Sequence, residues 1–401
     1  MKYVILIGDG MADYPIDELG GRTPLEYAET PNMDRLANEG MLGLFKSVPD
    51  GFPPGSDVAN LSILGYDPRL YYTGRAPLEA ASIGVKLSPD DLAMRCNLVT
   101  LSSGRDGLVM DDYSAGHITT DEAKAIVLDL DKGLSKEGMR FYPGKSYRHL
   151  MVWEGGPNGL KTTPPHDISD KAIGPHLPSG KGSETLHRLM EMSQGILKNH
   201  PVNIKRHSQG KKSADSIWLW GEGRAPSMPT LKERFSLTGA IISAVDLMNG
   251  IGIYAGLEVI KVPNITGYID TDYDAKASYA LGALKRHGFV CVHVEAPDEA
   301  GHNGILKDKL TAIEDFDKKV VGAVVKGLEA LGPYRLLVIT DHPTPISLRT
   351  HTSDPVPFVL SGDVIKGVGR SFSEGSAKAA GLFIKEPSGL MQRLFGADFS
   401  V

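Results

Sequence analysis

The sequence predicts an α/β fold, a mostly parallel sheet with helices on both faces, into which a smaller α+β domain is inserted. Two observations carry that expectation. Short apolar stretches at Tyr3–Ile7 and Leu336–Ile339, and the alternating valines Val290, Val292 and Val294, read as strands buried within a sheet, and each leads to an acidic residue: Asp9, Asp341 and Asp298. Candidate ligand residues run up to Ser56 and do not resume until Asp298, so the sheet is interrupted by a long stretch with its own pattern.

At 401 residues the chain is long enough for more than one domain. With 41% hydrophobic and 23% charged residues and a net charge of −6, it has no general attraction for nucleic acid or anionic membrane. No run approaches the roughly 18 to 20 apolar residues that span a bilayer. The opening Met1–Ile7 run breaks at Gly8-Asp9, too soon for the apolar region of a signal peptide, so a cytoplasmic location is expected. The two cysteines, Cys96 and Cys291, lie far apart in strand-like surroundings, which does not suggest a disulfide framework or a nucleophile.

The first strand ends at Gly8-Asp9-Gly10-Met11; alone, Asp9 would read as a turn residue between glycines. The next segment, Thr30 to Gly40, reads as a helix with Thr30 as N-cap, Pro31 in the first turn and Gly40 as terminator. Then Pro53-Pro54-Gly55 precede a helical pattern in which Val58, Leu61 and Leu64 share a face, placing Ser56 at or near a helix N-terminus. A serine there is ordinarily just a cap. The same geometry would favour a phosphate ester, and a metal ion beside the hydroxyl would make Ser56 a nucleophile without a histidine base.

Toward the other end, Asp298 and His302 follow the valine strand, and Asp341 and His342 follow the Leu336–Ile339 strand, with His351 in a proline-rich loop beyond. In open α/β sheets, ligands collect beyond the carboxyl ends of the strands. Taken singly, these are a cap and ordinary loop histidines. Two strand ends that each bring a carboxylate and an imidazole suit a bimetal centre.

With these residues in view, the chain resembles the alkaline phosphatase superfamily and, within it, the cofactor-independent phosphoglycerate mutases of archaeal and bacterial type. The resemblance rests on Gly8-Asp-Gly-Met11, Thr30-Pro-Asn-Met-Asp-Arg-Leu-Ala37, Pro54-Gly-Ser-Asp-Val-Ala-Asn60, Asp298-Glu-Ala-Gly-His302, Thr340-Asp-His342 and His351-Thr-Ser-Asp-Pro-Val-Pro357. It implies an alkaline-phosphatase-like sheet, one metal ion held by Asp298, His302 and His351, and a second held by Asp9, Ser56, Asp341 and His342. Two divalent ions are implied, Mn²⁺ first, and carboxylates with imidazoles and no thiolate also suit Mg²⁺ or Zn²⁺. One departure is Pro343-Thr344-Pro345, where a smaller residue is expected after the histidine.

Tyr71–Arg75 and Pro226–Pro229 read as linkers, giving a catalytic domain of residues 1–74 and 230–401 and an inserted substrate-binding cap of residues 75–229. In the cap, strands are expected at Met94–Leu101, Leu150–Trp153 and Ser216–Trp220, and a helix at Thr120–Leu134. A mutase must hold its dephosphorylated intermediate, which calls for fixed cations, arginine above all. By resemblance the candidates are His117, Arg148 and Arg224, with Arg206 and Lys212 weaker; any one of these arginines taken alone reads first as a solvated surface charge. His166-Asp167 is either a further polar contact or a turn.

The resemblance implies interconversion of 3-phosphoglycerate and 2-phosphoglycerate through a phosphoserine on Ser56, the partner being a small phosphorylated hydroxy acid. A homoserine kinase-like phosphotransferase, a metal-dependent phosphomonoesterase and a non-catalytic metal-binding module remain alternatives on the same scaffold. The sequence does not disclose the oligomeric state.

Overall fold

The computed structural model describes residues 1–105, 107–135, 138–363, 365, 367 and 369–396. The chain forms two compact units, Met1–Tyr72 with Ser227–Val401, and Thr73–Pro226. The first unit begins with β1 (Lys2–Gly8) and β2 (Met41–Phe45). The second contains β3 (Leu92–Gly104), β4 (Gly107–Asp112), β5 (Met139–Tyr142), β6 (Arg148–Trp153) and β7 (Ser216–Gly223). The chain then returns to the first unit through β8 (Gly239–Ile242), β9 (Glu258–Val259), β10 (Phe289–Val294), β11 (Tyr334–Ile339), β12 (Val356–Gly362) and β13 (Phe383–Ile384).

In the first unit the strand order is β13-β2-β12-β11-β1-β10-β8-β9. Only β12 runs against its neighbours; the other pairs are parallel. The strands are apolar because both faces are covered. Val4 and Leu6 join Val290, Val292, Leu336 and Val338 in one core, packed by the helices Tyr273–Leu284 and Gly322–Glu329. Ile5, Ile7, Cys291, Leu337 and Ile339 are equally buried and alternate to the other face. There Phe395, from the helix Pro387–Phe395, lies 4.8 Å from the Tyr3 ring. Fully burying each such aliphatic side chain contributes about 1.5 to 3 kcal/mol.

The register positions the site. Gly8 is level with Val294 of β10, and Ile7 with Ile339 of β11, so three parallel strands end together. The residues after them therefore emerge on one edge.

Two helix boundaries differ in mechanism from the sequence expectation. Thr30 is the N-cap of the helix Pro31–Glu39, but its side chain makes no capping bond. The backbone N–H groups of Asn32 and Met33 donate instead to the Asp317 carboxylate, at 3.2 and 2.7 Å. Gly40 ends the helix at φ −112°, outside the left-handed region. Glycine is required there because a Cβ would fall 2.6 Å from the Leu360 carbonyl.

The second unit is an antiparallel sheet centred on β3, which pairs with β4, β6 and β7, while β5 pairs with β6. One face carries Met94, Cys96, Leu98 and Met151 and packs against the helices Thr120–Leu134 and Ser183–Leu197. The first of these helices starts with a capping box between Thr119 and Glu122. On the other face, Ala76 and Ala80 of the short helix Ala76–Ser82 cover Ala93, Leu150 and Val152. Among the described residues, no helix is long and apolar enough to cross a membrane.

Candidate metal centre

All seven side chains expected around the two ions lie in the first unit. Asp298 opens the first turn of the helix Ala296–Asn303, and His302 follows one turn later on the same face. Their nearest atoms, Asp298 Oδ2 and His302 Nε2, are 3.3 Å apart. His351 brings its Nε2 to 3.4 Å from Asp298 Oδ1 and 2.8 Å from His302 Nε2. His302 Nδ1 donates to the Arg349 carbonyl at 3.0 Å, so Nε2, which faces Asp298 and His351, is the nitrogen that would hold an ion once it has given up its proton.

The second group assembles where β1 and β11 end. Asp341 Oδ1 accepts the Gly10 N–H at 3.1 Å, and its Oδ2 accepts from the Asn60 amide at 3.0 Å. His342 Nε2 stands 3.5 Å from Asp9 Oδ1 and 3.4 Å from Asp341 Oδ2. Ser56 is the first residue of the helix Ser56–Ile63, and Gly55 takes the N-cap position. The Ser56 hydroxyl is therefore not used as a cap. It lies 3.1 Å from His342 Nε2.

The electrostatics call for a cation. Asp9, Asp298 and Asp341 are 2%, 5% and 0% exposed, and Asp9 Oδ1 is buried without a hydrogen-bond partner. Burial, followed by the Asp341 and Asp298 charges, raises Asp9 well above the usual carboxylate range. Burial acts the same way on Asp298, but His302 and His351 outweigh it and hold that carboxyl well below its usual range. Clustered carboxylates out of water are costly unless paired or coordinated. Two triplets, Asp298 with His342 and His351, and Asp9 with His293 and Asp341, each bring ligand atoms within 4.8 Å of one another. The donor set fits divalent ions that accept carboxylate and imidazole.

His293 is absent from the sequence reading. It sits in β10, and its Nε2 lies 3.0 Å from Asp9 Oδ2 while its Nδ1 lies 3.1 Å from the Ser243 hydroxyl. Ser243 Oγ accepts the Val245 N–H at 3.0 Å, so its own proton is free for His293 Nδ1. Nε2 then carries the ring proton and donates to Asp9. In that tautomer His293 orients Asp9; with the proton on Nδ1 instead, its Nε2 is a third ligand atom beside Asp9 and Asp341. Burial lowers its pKa to about 4, keeping it neutral. A histidine one residue before the end of an otherwise apolar strand was the available signal.

In the second unit the expected cations separate into two sets. Arg206 is 1% exposed, with Nε on the Lys212 carbonyl, Nη1 on Glu122 and Nη2 on the Ala115 carbonyl. Arg224 bonds through Nε to Asn158 and through Nη1 and Nη2 to the Asp90 and Gly156 carbonyls. Both guanidinium groups hydrogen-bond to neighbouring loops. Lys212 pairs with Asp111 at 2.9 Å. His117 is exposed in a left-handed turn at φ 49°. Arg148 is exposed at the start of β6. Near it the sequence reading missed Arg75 and Arg95, whose Nε atoms lie 3.2 and 3.0 Å from Glu79, with Arg95 4.2 Å over the Trp220 ring. Burial, then Arg75 and Arg148 against the pull of Glu79, bring Arg95 down to about 10.

Comparison with known proteins places these features in a wider group. The family described as 2,3-bisphosphoglycerate-independent phosphoglycerate mutase matches residues 37–203. A Geobacter sulfurreducens protein named a probable 2,3-bisphosphoglycerate-independent phosphoglycerate mutase is 55% identical over 396 residues, covering 98% of this chain and 99% of that one. A Methanosarcina acetivorans protein named a 2,3-bisphosphoglycerate-independent phosphoglycerate mutase is 57% identical over 363 residues, 90% of each chain. Among solved structures, a Pyrococcus horikoshii protein aligns over 100% of both chains with TM-score 0.83 and 30% identity. The cofactor-independent phosphoglycerate mutase of Thermoplasma acidophilum aligns over 99% of both, with TM-score 0.63 and 25% identity.

Proposed function

The chain belongs to the 2,3-bisphosphoglycerate-independent phosphoglycerate mutase family, and from that premise we propose that it interconverts 3-phosphoglycerate and 2-phosphoglycerate through a phosphoserine on Ser56. The observation that carries this reading is the approach of the Ser56 hydroxyl to His342, 3.1 Å away, beside buried carboxylates that need a cation.

In this reading Asp298, His302 and His351 hold one divalent ion, and Asp9, Asp341, His342 and Ser56 hold the other, with Mn²⁺ as the expected metal. When bound, the ions supply positive charge to the transferring phosphoryl group and lower the pKa of the serine hydroxyl. Ser56 Oγ forms a bond to phosphorus as the bond to the substrate oxygen breaks, and the reverse step delivers the phosphoryl group to the neighbouring hydroxyl of glycerate. The N-terminal N–H groups of the helix Ser56–Ile63 favour the phosphate charge on the serine. His293 keeps Asp9 turned toward its ion. Holding the glycerate is assigned to His117, Arg148 and Arg224, with Arg206 and Lys212 as weaker candidates, since fixed cations suit a carboxylate.

Phosphorus NMR of 3-phosphoglycerate incubated with the Mn²⁺-loaded protein tests the proposal. The expected product is 2-phosphoglycerate at equilibrium with substrate. Free phosphate as the main product would indicate a phosphomonoesterase, and phosphorylation of homoserine from ATP without mutase activity would indicate the kinase-like alternative.

A further inference from the structure

Thr344 touches two side chains of one ligand triplet, Asp298 and His342, which the proposed function assigns to different ions. Its hydroxyl is 2.5 Å from Asp298 Oδ1 and 3.2 Å from His342 Nδ1. The residue is fully buried, and its main chain is pinned on both sides: its N–H donates to the Ala12 carbonyl at 3.1 Å, and its carbonyl accepts from Lys309 Nζ at 2.8 Å. Lys309 is itself buried and paired with Asp13 at 2.7 Å. Two glycines leave room for the threonine. A Cβ on Gly10 would fall 2.6 Å from Thr344 Oγ1, and one on Gly301 would fall 2.6 Å from its carbonyl oxygen.

Hydrogen-bond accounting gives this contact a direction. An ionised carboxylate only accepts, so the Thr344 proton goes to Asp298. The hydroxyl oxygen is then an acceptor for His342, and Nδ1 must carry the imidazole proton. That leaves the His342 Nε2 lone pair on the side of Ser56, Asp9 and Asp341. The opposite tautomer would place two acceptors against each other at Nδ1, or strip Asp298 of its donor.

We propose that Thr344 is a positioning residue that selects the His342 tautomer and fixes the Asp298 carboxylate, so that one hydroxyl prepares a ligand in each of two divalent-cation sites. The inference rests on the reading of Asp298 and His342 as cation ligands. Partners of this kind, bonded to the ligands rather than the ion, typically change metal affinity 10- to 100-fold when removed.

The test is Mn²⁺ titration by calorimetry of the wild-type chain and of Thr344→Ser and Thr344→Val. Wild type is expected to bind two ions, Thr344→Ser to keep both within a few-fold, and Thr344→Val to bind at least one ion about 10- to 100-fold more weakly. Wild-type affinity in a folded Thr344→Val variant, or equal weakening in folded Thr344→Ser, overturns the proposal. If Thr344→Val does not fold, nitrogen NMR of His342 in the metal-free wild type decides the matter: a proton on Nδ1 is expected, and one on Nε2 overturns it. A wild-type chain that binds no Mn²⁺ at all would instead remove the reading of the site on which the inference rests.

Discussion

Ser56 Oγ and His342 Nε2 stand 3.1 Å apart across 286 residues of sequence. A helix N-terminus supplies one atom and the carboxyl end of a parallel strand supplies the other. In a buried, carboxylate-rich surrounding, that pairing turns a residue that would ordinarily cap a helix into a candidate nucleophile.

Ser56→Ala is expected to abolish phosphoglycerate interconversion while leaving an ion on Asp298, His302 and His351. Product analysis together with a metal count on the purified variant checks both halves. Turnover retained in this variant would remove Ser56 from the nucleophile role.

Removing the ions should destabilise the first unit, because Asp9, Asp298 and Asp341 are buried together. A chelator is expected to lower the melting temperature and Mn²⁺ to restore it. Free ion at about 100 times its dissociation constant adds about 2.7 kcal/mol per site. A melting temperature indifferent to chelation would speak against tight binding.

His293→Leu deprives Asp9 Oδ2 of its donor. An unsatisfied buried acceptor costs about 1 to 3 kcal/mol, measurable as a shift in the urea midpoint. The same variant should bind the ion near Asp9 more weakly, whereas an unchanged calorimetric titration would show that Asp9 needs no such partner.

Lys309→Met breaks a buried ion pair with Asp13 whose side chains are 0% and 1% exposed. Leaving one charge buried without its partner costs about 3 to 5 kcal/mol. Denaturant unfolding should report that loss, and the loop bearing Thr344 should gain hydrogen exchange because its carbonyl loses the lysine.

Acid should weaken the second unit through His149. Its Nδ1 accepts the Gly144 N–H at 3.0 Å, and burial lowers its pKa from 6.5 to about 3. Above pH 6.5 both folded and unfolded chains carry it neutral, so its contribution is fully present there. As pH falls from 6.5 toward 3, only the unfolded chain takes up the proton, and stability drops by about 1.4 kcal/mol per pH unit. Urea unfolding at pH 7 and pH 5 should show a fall in wild type about 2 kcal/mol larger than in His149→Asn. Equal falls would mean that the imidazole finds water or a partner in the folded state.

Much of the site was legible because strand ends and helical spacing are local properties. Apolar stretches before Asp9, Asp298 and Asp341 marked where parallel strands stop, and the four-residue spacing of Asp298 and His302 put both on one helix face. The missed residues belong to longer-range pairing. His293 was hidden among valines, Thr344 between prolines, and Arg75 and Arg95 within an ordinary helix start and strand. The hydrogen bonds of Arg206 and Arg224 to carbonyl groups of distant turns are likewise invisible in the letters.

The sequence by itself determined the elements, the edge of the sheet where chemistry collects and the residue types gathered there, since burial periodicity and chain-end signals act over a few residues. Tertiary structure alone decided which hydroxyl faces which imidazole, which carboxylate oxygen stays open for an ion and which guanidinium is already bonded. Those choices follow from strand register and from the need of each buried polar atom for a partner, and the partner can lie hundreds of residues away.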